Sequence, residues 1–278
     1  MDSAANDAAG ALLVGAMWWY SAAVLQPARA GQPRHGRLDL LREPGLAPPR
    51  PGLGRSFSAE HSAPVLLGRS TDHDHLVAEF DRMSEAYDAY VRPFSTPIFE
   101  EALRALRPLM AADMRVLDAG CGPGRELRRM AACVPDGEVV GVDLAAGMVM
   151  SAYRAARAAG LDNTAFVQAD VGDLPPAFDG QFDLVYNCLA HHHYPEPLAA
   201  ATSVRRALRP GGIYAIIDPG PAWYIALSSP LARLADPGWI GFHCPDQFED
   251  LLTRAGFICI SWHELLPGFG LCIGKRPA

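Results

Sequence analysis

Three consecutive histidines, His191, His192 and His193, stand before Tyr194-Pro195 and shortly after Cys188. An imidazole can act as a base near neutral pH or bind a metal. Cysteine together with histidine is a zinc-binding combination, but zinc needs three or four ligands that converge on one ion. Adjacent histidines on a loop point in different directions, so this pattern predicts no metal site.

Carboxylates accompany three successive predicted strands. Asp118 lies at the end of the run RVLDA, Asp143 ends the run EVVGVD, and Asp170 follows the run TAFVQA. Any one acid in such a place is often a helix cap or a turn residue. Ligands of open α/β sheets, however, bind beyond the carboxyl ends of the strands. The three acids together therefore predict one ligand site.

A glycine turn with the pattern G-x-G-x-G follows Asp118 and contains Gly120, Gly122 and Gly124. Glycine lets the backbone approach a ligand closely. A dinucleotide fingerprint requires a further glycine where Arg125 stands, and a phosphate-binding loop requires Gly-Lys-Ser/Thr. Asp118 would also repel a phosphate. The turn therefore favours a ligand with positive charge, such as an ammonium or a sulfonium.

The elements that position these residues alternate between short apolar strands and helices, which predicts a parallel sheet with helices on both faces. Two late strands separated by Pro267-Gly268 should form an antiparallel end of the sheet. The predicted strands are 115–119, 138–143, 164–169, 182–187, 213–218, 257–265 and 269–274, and the predicted helices are 97–109, 124–132, one ending at 159, 196–208 and 248–255.

The first 70 residues differ from the rest, because they are rich in proline, alanine and arginine. This composition predicts an irregular or disordered extension (1–70) before one domain (71–278) that begins with an amphipathic helix at Leu76, Phe80, Met83 and Tyr87. The apolar run 8–25 could be a signal or anchor segment. It lacks a positively charged flank and is short for a span, so we expect no stable membrane insertion.

The net charge and the cysteines of the chain indicate which partners and which cellular compartment to expect. The net charge of −7 and the lack of a basic stripe exclude nucleic acid as an expected partner. The six cysteines are scattered without a CxxC pair, which predicts reduced thiols and a cytoplasmic location.

From about residue 72 to 275 the chain resembles the class I S-adenosylmethionine-dependent methyltransferases, and especially their small-molecule branch. The resemblance rests on the blocks VLDAGCGPG, VVGVDLAAGMV, FVQADVGDLP, FDLVYNCLAHHHYPEP and LRPGGIYAIID. It implies a Rossmann-like, seven-stranded, mostly parallel sheet with an antiparallel last strand. It also implies transfer of a methyl group from S-adenosyl-L-methionine to a small, aromatic or hydrophobic acceptor.

The resemblance assigns roles to individual positions. Asp143 is expected to bind the ribose hydroxyls, and Asp170 with the Val171 backbone is expected to bind the edge of the adenine. The glycines of the turn are expected to lie along the methionine part of the cofactor. The full set of implied cofactor-binding residues is Asp118, Gly120, Cys121, Gly122, Gly124, Asp143, Leu144, Met148, Asp170, Val171 and Asn187.

In related methyltransferases the histidine loop reads apolar-His-His-apolar-Pro-acid. Pro195-Glu196 aligns His192 and His193 with the pair, so His191 replaces an apolar residue. An alcohol or phenol acceptor benefits from a base. Our hypothesis is that His192 is this base and that Asp218, at the end of the next strand, orients it; His243 is a weaker candidate. The alternative is that the histidines only cap or pack the loop and that positioning alone drives transfer.

The acceptor pocket is expected between the N-terminal helix, with Tyr87, Tyr90 and Phe94, and the aromatic stretch 219–245, although any of these rings could simply pack a lid. Two other functions compete. A non-catalytic cofactor-binding or scaffold protein could keep the fold, and a nucleic-acid or protein methyltransferase could share it. The sequence Asn187-Cys188-Leu189-Ala190 replaces the Asn/Asp-Pro-Pro-Tyr/Phe motif of base amino-methylation. Whether oxygen, nitrogen or carbon is methylated does not follow from the sequence.

Overall fold

A computed structural model describes residues 65–66, 95–235 and 238–278. The predicted N-terminal extension, the predicted helix at Leu76–Tyr87 and the predicted pocket residues Tyr87, Tyr90 and Phe94 lie outside the described residues, apart from two positions of the extension.

The described chain forms one eight-stranded sheet with the strand order β1-β4-β3-β2-β5-β6-β8-β7. Strand β8 runs antiparallel to its neighbours β6 and β7, and the other pairs are parallel. The strands are β1 (Val65–Leu66), β2 (Arg115–Ala119), β3 (Glu138–Asp143), β4 (Thr164–Gln168), β5 (Phe182–Cys188), β6 (Leu208–Pro219), β7 (Ile258–Leu266) and β8 (Phe269–Lys275). The mostly parallel Rossmann-like sheet with an antiparallel last strand is thereby confirmed, and the two-residue β1 is added at its edge.

Helices cover both faces of this sheet, as predicted. They are α1 (residues 95–106), α2 (Arg125–Ala131), α3 (Ala146–Ala158), α4 (Pro197–Ala207), α5 (Ala222–Ala235) and α6 (Pro245–Arg254). Short 3-10 turns lie at Arg107–Leu109, Val171–Asp173, Pro176–Phe178 and His191–His193. Helix α5 was not predicted, because Pro230 interrupts its sequence and the aromatic stretch around it has no clear helical period.

Alternation along the strands divides the core into two layers. In β5, Tyr186 belongs to the layer under α1, α2 and α3, which also contains Phe99 and Leu127. Its neighbour Val185 belongs to the layer under α4 and α6, with Val204. Because successive side chains of a strand point to opposite faces, both layers are built from the same strands. The carboxyl ends of β2, β3, β4 and β5 are left at one edge.

The six cysteines are all free thiols in this structure. Among the described residues, no helix combines the length and the apolar composition that a membrane crossing requires.

Gly124 supplies a test of the helix packing in this fold. It has a φ of 73°, and a Cβ placed there would lie 2.8 Å from the Ala152 Cβ on α3. We expect Gly124→Ala to destabilise the protein by about 2–4 kcal/mol, since the strain of a left-handed alanine adds to overpacking. Denaturant unfolding measures the loss.

Gly180 provides the matched control, because its φ is 63° and nothing lies within 4 Å of its Cβ position. Gly180→Ala should cost only the left-handed strain, about 1–2 kcal/mol. Equal losses in the two variants would contradict the close contact between α2 and α3.

Candidate functional site

A cleft opens at the carboxyl ends of β2, β3, β4 and β5, with a volume of about 1030 Å³ counted out to open solvent. Nine of the predicted cofactor-binding residues line it: Asp118, Gly120, Cys121, Gly122, Asp143, Leu144, Met148, Asp170 and Val171. Gly124 and Asn187 are not part of the lining.

The three glycines of the turn have three different surroundings. A Cβ on Gly120 would lie 2.8 Å from the Cβ of Ala190, so this glycine allows the histidine loop to come close. Gly122 faces open space, with nothing within 4 Å of its Cβ position. Gly124 instead packs on Ala152 and begins α2. Only the first two therefore contribute to the cleft surface.

The acids Asp143 and Asp170 are held by backbone donors. Asp143 accepts hydrogen bonds from the amides of Gly122 at 2.8 Å and Ala145 at 3.0 Å. Asp170 accepts one from the amide of Gly172 at 2.7 Å and caps the turn that follows β4. These bonds fix the carboxylates at the cleft wall, while their predicted contacts with ribose and adenine stay predictions.

Asp118 is almost fully buried and accepts a 2.7 Å hydrogen bond from the hydroxyl of Tyr186. Burial raises the pKa of Asp118 well above its ordinary value, the Tyr186 hydrogen bond opposes this rise, and the carboxylates of Glu126 and Asp143 add to it. Glu126 also lines the cleft. Glu126 was not predicted, although its position two residues after Gly124, in the first turn of α2, was a usable signal.

The histidine loop forms the 3-10 turn His191–His193 after β5. The Nδ1 of His192 lies 2.7 Å from the Oδ1 of Asp218, and the Asp218 side chain is fully buried at the end of β6. Strands β5 and β6 are paired neighbours, which brings the loop and the acid together. The predicted contact between His192 and Asp218 is therefore formed.

The segment after α5 also contacts His192. The carbonyl of His192 accepts a hydrogen bond from the amide of Ile240 at 2.9 Å, and its ring meets Phe242 with centroids 5.1 Å apart. Trp239 packs on Phe242 in turn. These rings lie in the predicted aromatic stretch, and here they pack against the histidine loop.

His193, and not His192, is the histidine that lines the cleft. The two rings are close, with centroids 4.2 Å apart. The His192 side chain is about one-tenth exposed and is not part of the cleft lining, but its ring contacts that of His193. This division between the two histidines was not predicted.

His191 occupies an aromatic environment. Its buried ring contacts Tyr194, His243 and Phe248 with centroids 5.1–5.3 Å apart, and neither ring nitrogen has a hydrogen-bond partner. Burial lowers the pKa of His191 well below its ordinary value, and the nearby His243 and His192 lower it further. His191 thus packs as a neutral ring, which agrees with its place at a usually apolar position.

His243, the weaker base candidate, belongs to the same aromatic cluster. Its ring lies 5.4 Å from that of Phe248, and burial lowers its pKa, while the Asp218 carboxylate opposes the shift. It is not among the described residues that line the cleft. This placement favours a packing role.

Tyr194 connects the histidine loop to the glycine turn. Its hydroxyl donates to the carbonyl of Ala119 at 2.8 Å and accepts from the amide of Asn187 at 3.4 Å. Asn187 is fully buried and also donates to the hydroxyl of Tyr214 at 3.2 Å. Asn187 therefore supports the site from behind through Tyr194. Within the described residues, no group of three acidic, histidine or cysteine side chains is arranged to hold a metal.

Comparison with known proteins identifies a family and several relatives that this chain resembles. A family described as a methyltransferase domain matches residues 116–212. The 27-O-demethylrifamycin SV methyltransferase of Amycolatopsis mediterranei is 33% identical over 196 residues, which cover 69% of this chain and 67% of that protein. The nocamycin O-methyltransferase of Saccharothrix syringae is 35% identical over 144 residues, covering 51% of this chain and 50% of that protein.

Among solved structures, a SAM-dependent methyltransferase from Aquifex aeolicus superposes with a TM-score of 0.55 at 19% identity and covers 72% of this chain and 98% of that one. The shared fold and the cleft at the carboxyl ends of the strands define an open α/β protein with a candidate ligand site. The chain belongs to the class I S-adenosylmethionine-dependent methyltransferases. It spans about half the length of several curated relatives that it matches.

The buried ring of His191 predicts an acid-dependent loss of stability. In the folded protein the pKa of His191 lies below the ordinary value near 6.5. As the pH falls below that value, His191 becomes protonated in the unfolded chain but stays neutral in the folded chain, so the free energy of unfolding decreases. In His191→Leu the fall of unfolding free energy between pH 7 and pH 5 should be shallower, by up to about 1.4 kcal/mol per pH unit.

Denaturant unfolding of both proteins across this range measures the difference. At pH 8, where the histidine is neutral in both states, His191→Leu should be at least as stable as the wild type, because two unpaired buried nitrogens are removed. Parallel pH curves for the two proteins would contradict the neutral packing of His191.

Proposed function

We propose that this protein transfers a methyl group from S-adenosyl-L-methionine to a hydroxyl oxygen of a small, apolar acceptor, with His192 as the base and Asp218 as its orienting partner. The observation that carries the proposal is the 2.7 Å contact between the His192 Nδ1 and the buried Asp218 carboxylate, in the turn whose next residue, His193, lines the cleft. Burying an acid is costly without a partner, so this pair indicates a specific use.

The cleft residues fit this cofactor chemically. Four carboxylates line the cleft, which suits a ligand carrying a sulfonium and an ammonium: Asp118, Glu126, Asp143 and Asp170. Gly122 leaves open space above the turn, where a bulkier residue would fill it. Leu144 and Met148 offer an apolar surface for an adenine ring beside Asp170. These residues would hold the cofactor as the family resemblance implies.

When bound, the cofactor supplies a methyl group on a positively charged sulfur. The remaining work belongs to the chain, which has to hold the acceptor oxygen in line with that methyl group and remove its proton. With its Nδ1 hydrogen donated to Asp218, the His192 ring carries no hydrogen on Nε2, which is the nitrogen that would accept the proton of the acceptor hydroxyl. The buried carboxylate then stabilises the imidazolium that forms.

A hydroxyl acceptor explains the pair better than a carboxyl acceptor does. A carboxyl group is already ionised near neutral pH and gains nothing from a base, whereas alcohols and phenols still carry their proton. Relatives named as O-methyltransferases include those of nocamycin and ubiquinone biosynthesis and a fatty-acid O-methyltransferase. These names support oxygen as the acceptor atom, while the preference for a hydroxyl rests on the pair of His192 and Asp218. A protein that only binds the cofactor would have no use for the pair, so the non-catalytic alternative is not favoured.

The base role predicts a specific kinetic pattern. His192→Ala and Asp218→Asn should each lower kcat by about 10²–10⁴-fold while binding of S-adenosylmethionine is retained, because general-base catalysis contributes about that much. Asp143→Ala should instead weaken cofactor binding, because this carboxylate holds the glycine turn at the cleft wall. A panel of hydroxyl acceptors with methyl-labelled cofactor, read by mass spectrometry, measures transfer, and calorimetry measures binding.

His263 is the matched histidine control. It lies on β7 beside Ser261, with the ring Nε2 3.0 Å from the hydroxyl, and it does not line the cleft. His263→Ala should leave transfer unchanged. Transfer by His192→Ala at the wild-type rate, together with loss of cofactor binding in Asp143→Ala, would overturn the base role.

A further inference from the structure

Leu189 has a backbone conformation that leucine rarely adopts. Its φ is 55°, and among the described residues only Cys259 shares a positive φ without being a glycine. A left-handed conformation costs an L-residue about 1–2 kcal/mol, whereas glycine and asparagine adopt it readily. Residues held in such regions cluster at active sites and ligand contacts. The left-handed backbone of Leu189 therefore needs a structural or functional explanation.

The turn itself does not require a leucine side chain. The amide of Leu189 donates to the carbonyl of Ile217 at 2.8 Å, and the next residue, Ala190, packs against Gly120. Both contacts are made by the backbone of Leu189 or by its neighbour, so glycine or asparagine would permit the same turn. The backbone turn therefore does not explain why this residue is a leucine, and this indicates a role for its side chain.

The side chain of Leu189 has two surroundings. It is partly buried against the core layer that contains Tyr186, and it also lines the cleft beside Cys188 and Ala190. It stands between the end of β5 and the turn that carries His192. Leu189 thus forms an apolar part of the cleft wall, next to the turn that carries the proposed base.

We propose that Leu189 determines acceptor specificity, with its side chain forming the apolar wall against which the ring or chain that bears the hydroxyl packs. The left-handed backbone keeps this side chain in the cleft while the chain turns towards His192. This inference rests on the proposed function, since it assigns the wall to the acceptor of that reaction.

The variants Leu189→Asn and Leu189→Gly test it, because both accept the left-handed backbone and remove the apolar wall. The probes are phenol, 4-methylphenol and 4-butylphenol, titrated by calorimetry into protein saturated with S-adenosylhomocysteine. The wild type should bind more tightly as the alkyl group lengthens, since more apolar surface is buried. Both variants should lose this gradient and bind 4-butylphenol about tenfold more weakly or worse.

Two controls separate the wall from general effects. Cys259→Gly relieves the same backbone strain on β7, away from the cleft. Leu109→Ala shortens another partly buried leucine that packs on the same core layer and does not line the cleft. Both control variants should bind the phenols as the wild type does, and thermal unfolding reports any loss of stability in the whole set.

The possible outcomes are distinct. Wild-type affinity and gradient in Leu189→Asn would overturn the proposal, and so would a wild-type protein without the gradient or without phenol binding. If the gradient depends on Leu189 but no labelled methyl group reaches any hydroxyl acceptor, the proposed function is wrong. The binding role of the Leu189 side chain is then still supported.

Discussion

The hydrogen bond between the Nδ1 of His192 and the carboxylate of Asp218 is the interaction on which the account of this site depends. It joins the loop after β5 to the end of β6, so the pairing of these two strands sets its geometry. The surrounding contacts all restrain the same loop: Ile240 binds the His192 carbonyl, and Tyr194 attaches the loop to the carbonyl before the glycine turn. These contacts connect the proposed base, the glycine turn and the segment that contains Ile240 through one loop.

Acidic side chains and histidines occupy different parts of the cleft wall. Carboxylates line the part formed by β2, β3 and β4, which suits a cationic cofactor, while the histidine loop forms the neighbouring wall. Asp118 is the most deeply buried of these cleft acids, and the hydrogen bond from Tyr186 opposes the rise in pKa that burial causes. The histidines divide in a similar way. His191 is packed as a neutral ring among aromatic side chains, His192 is bound to a carboxylate, and His193 reaches the cleft surface.

Much of the fold and part of the site could be predicted from the sequence. The period of the strands, the glycine turn and the acids at the strand ends are local signals, and the contact of His192 with Asp218 followed from the expected neighbourhood of two strands. The remaining features depend on packing between distant segments. Gly124 faces α3 instead of the cleft, and Asn187 lies behind Tyr194. No sequence pattern states which side of a turn a residue faces, and α5 was missed because Pro230 interrupts it.

The protonation state of the His192 ring tests the central claim most directly. With the histidines labelled with ¹⁵N and the protein saturated with S-adenosylhomocysteine, NMR near neutral pH identifies which ring nitrogen carries the hydrogen. The account predicts a hydrogen on Nδ1, shared with Asp218, and a bare Nε2, together with loss of this preference in Asp218→Asn. A hydrogen on Nε2 with a bare Nδ1, unchanged by that substitution, would contradict it, because such a ring could neither bind Asp218 nor accept the proton of a hydroxyl through Nε2.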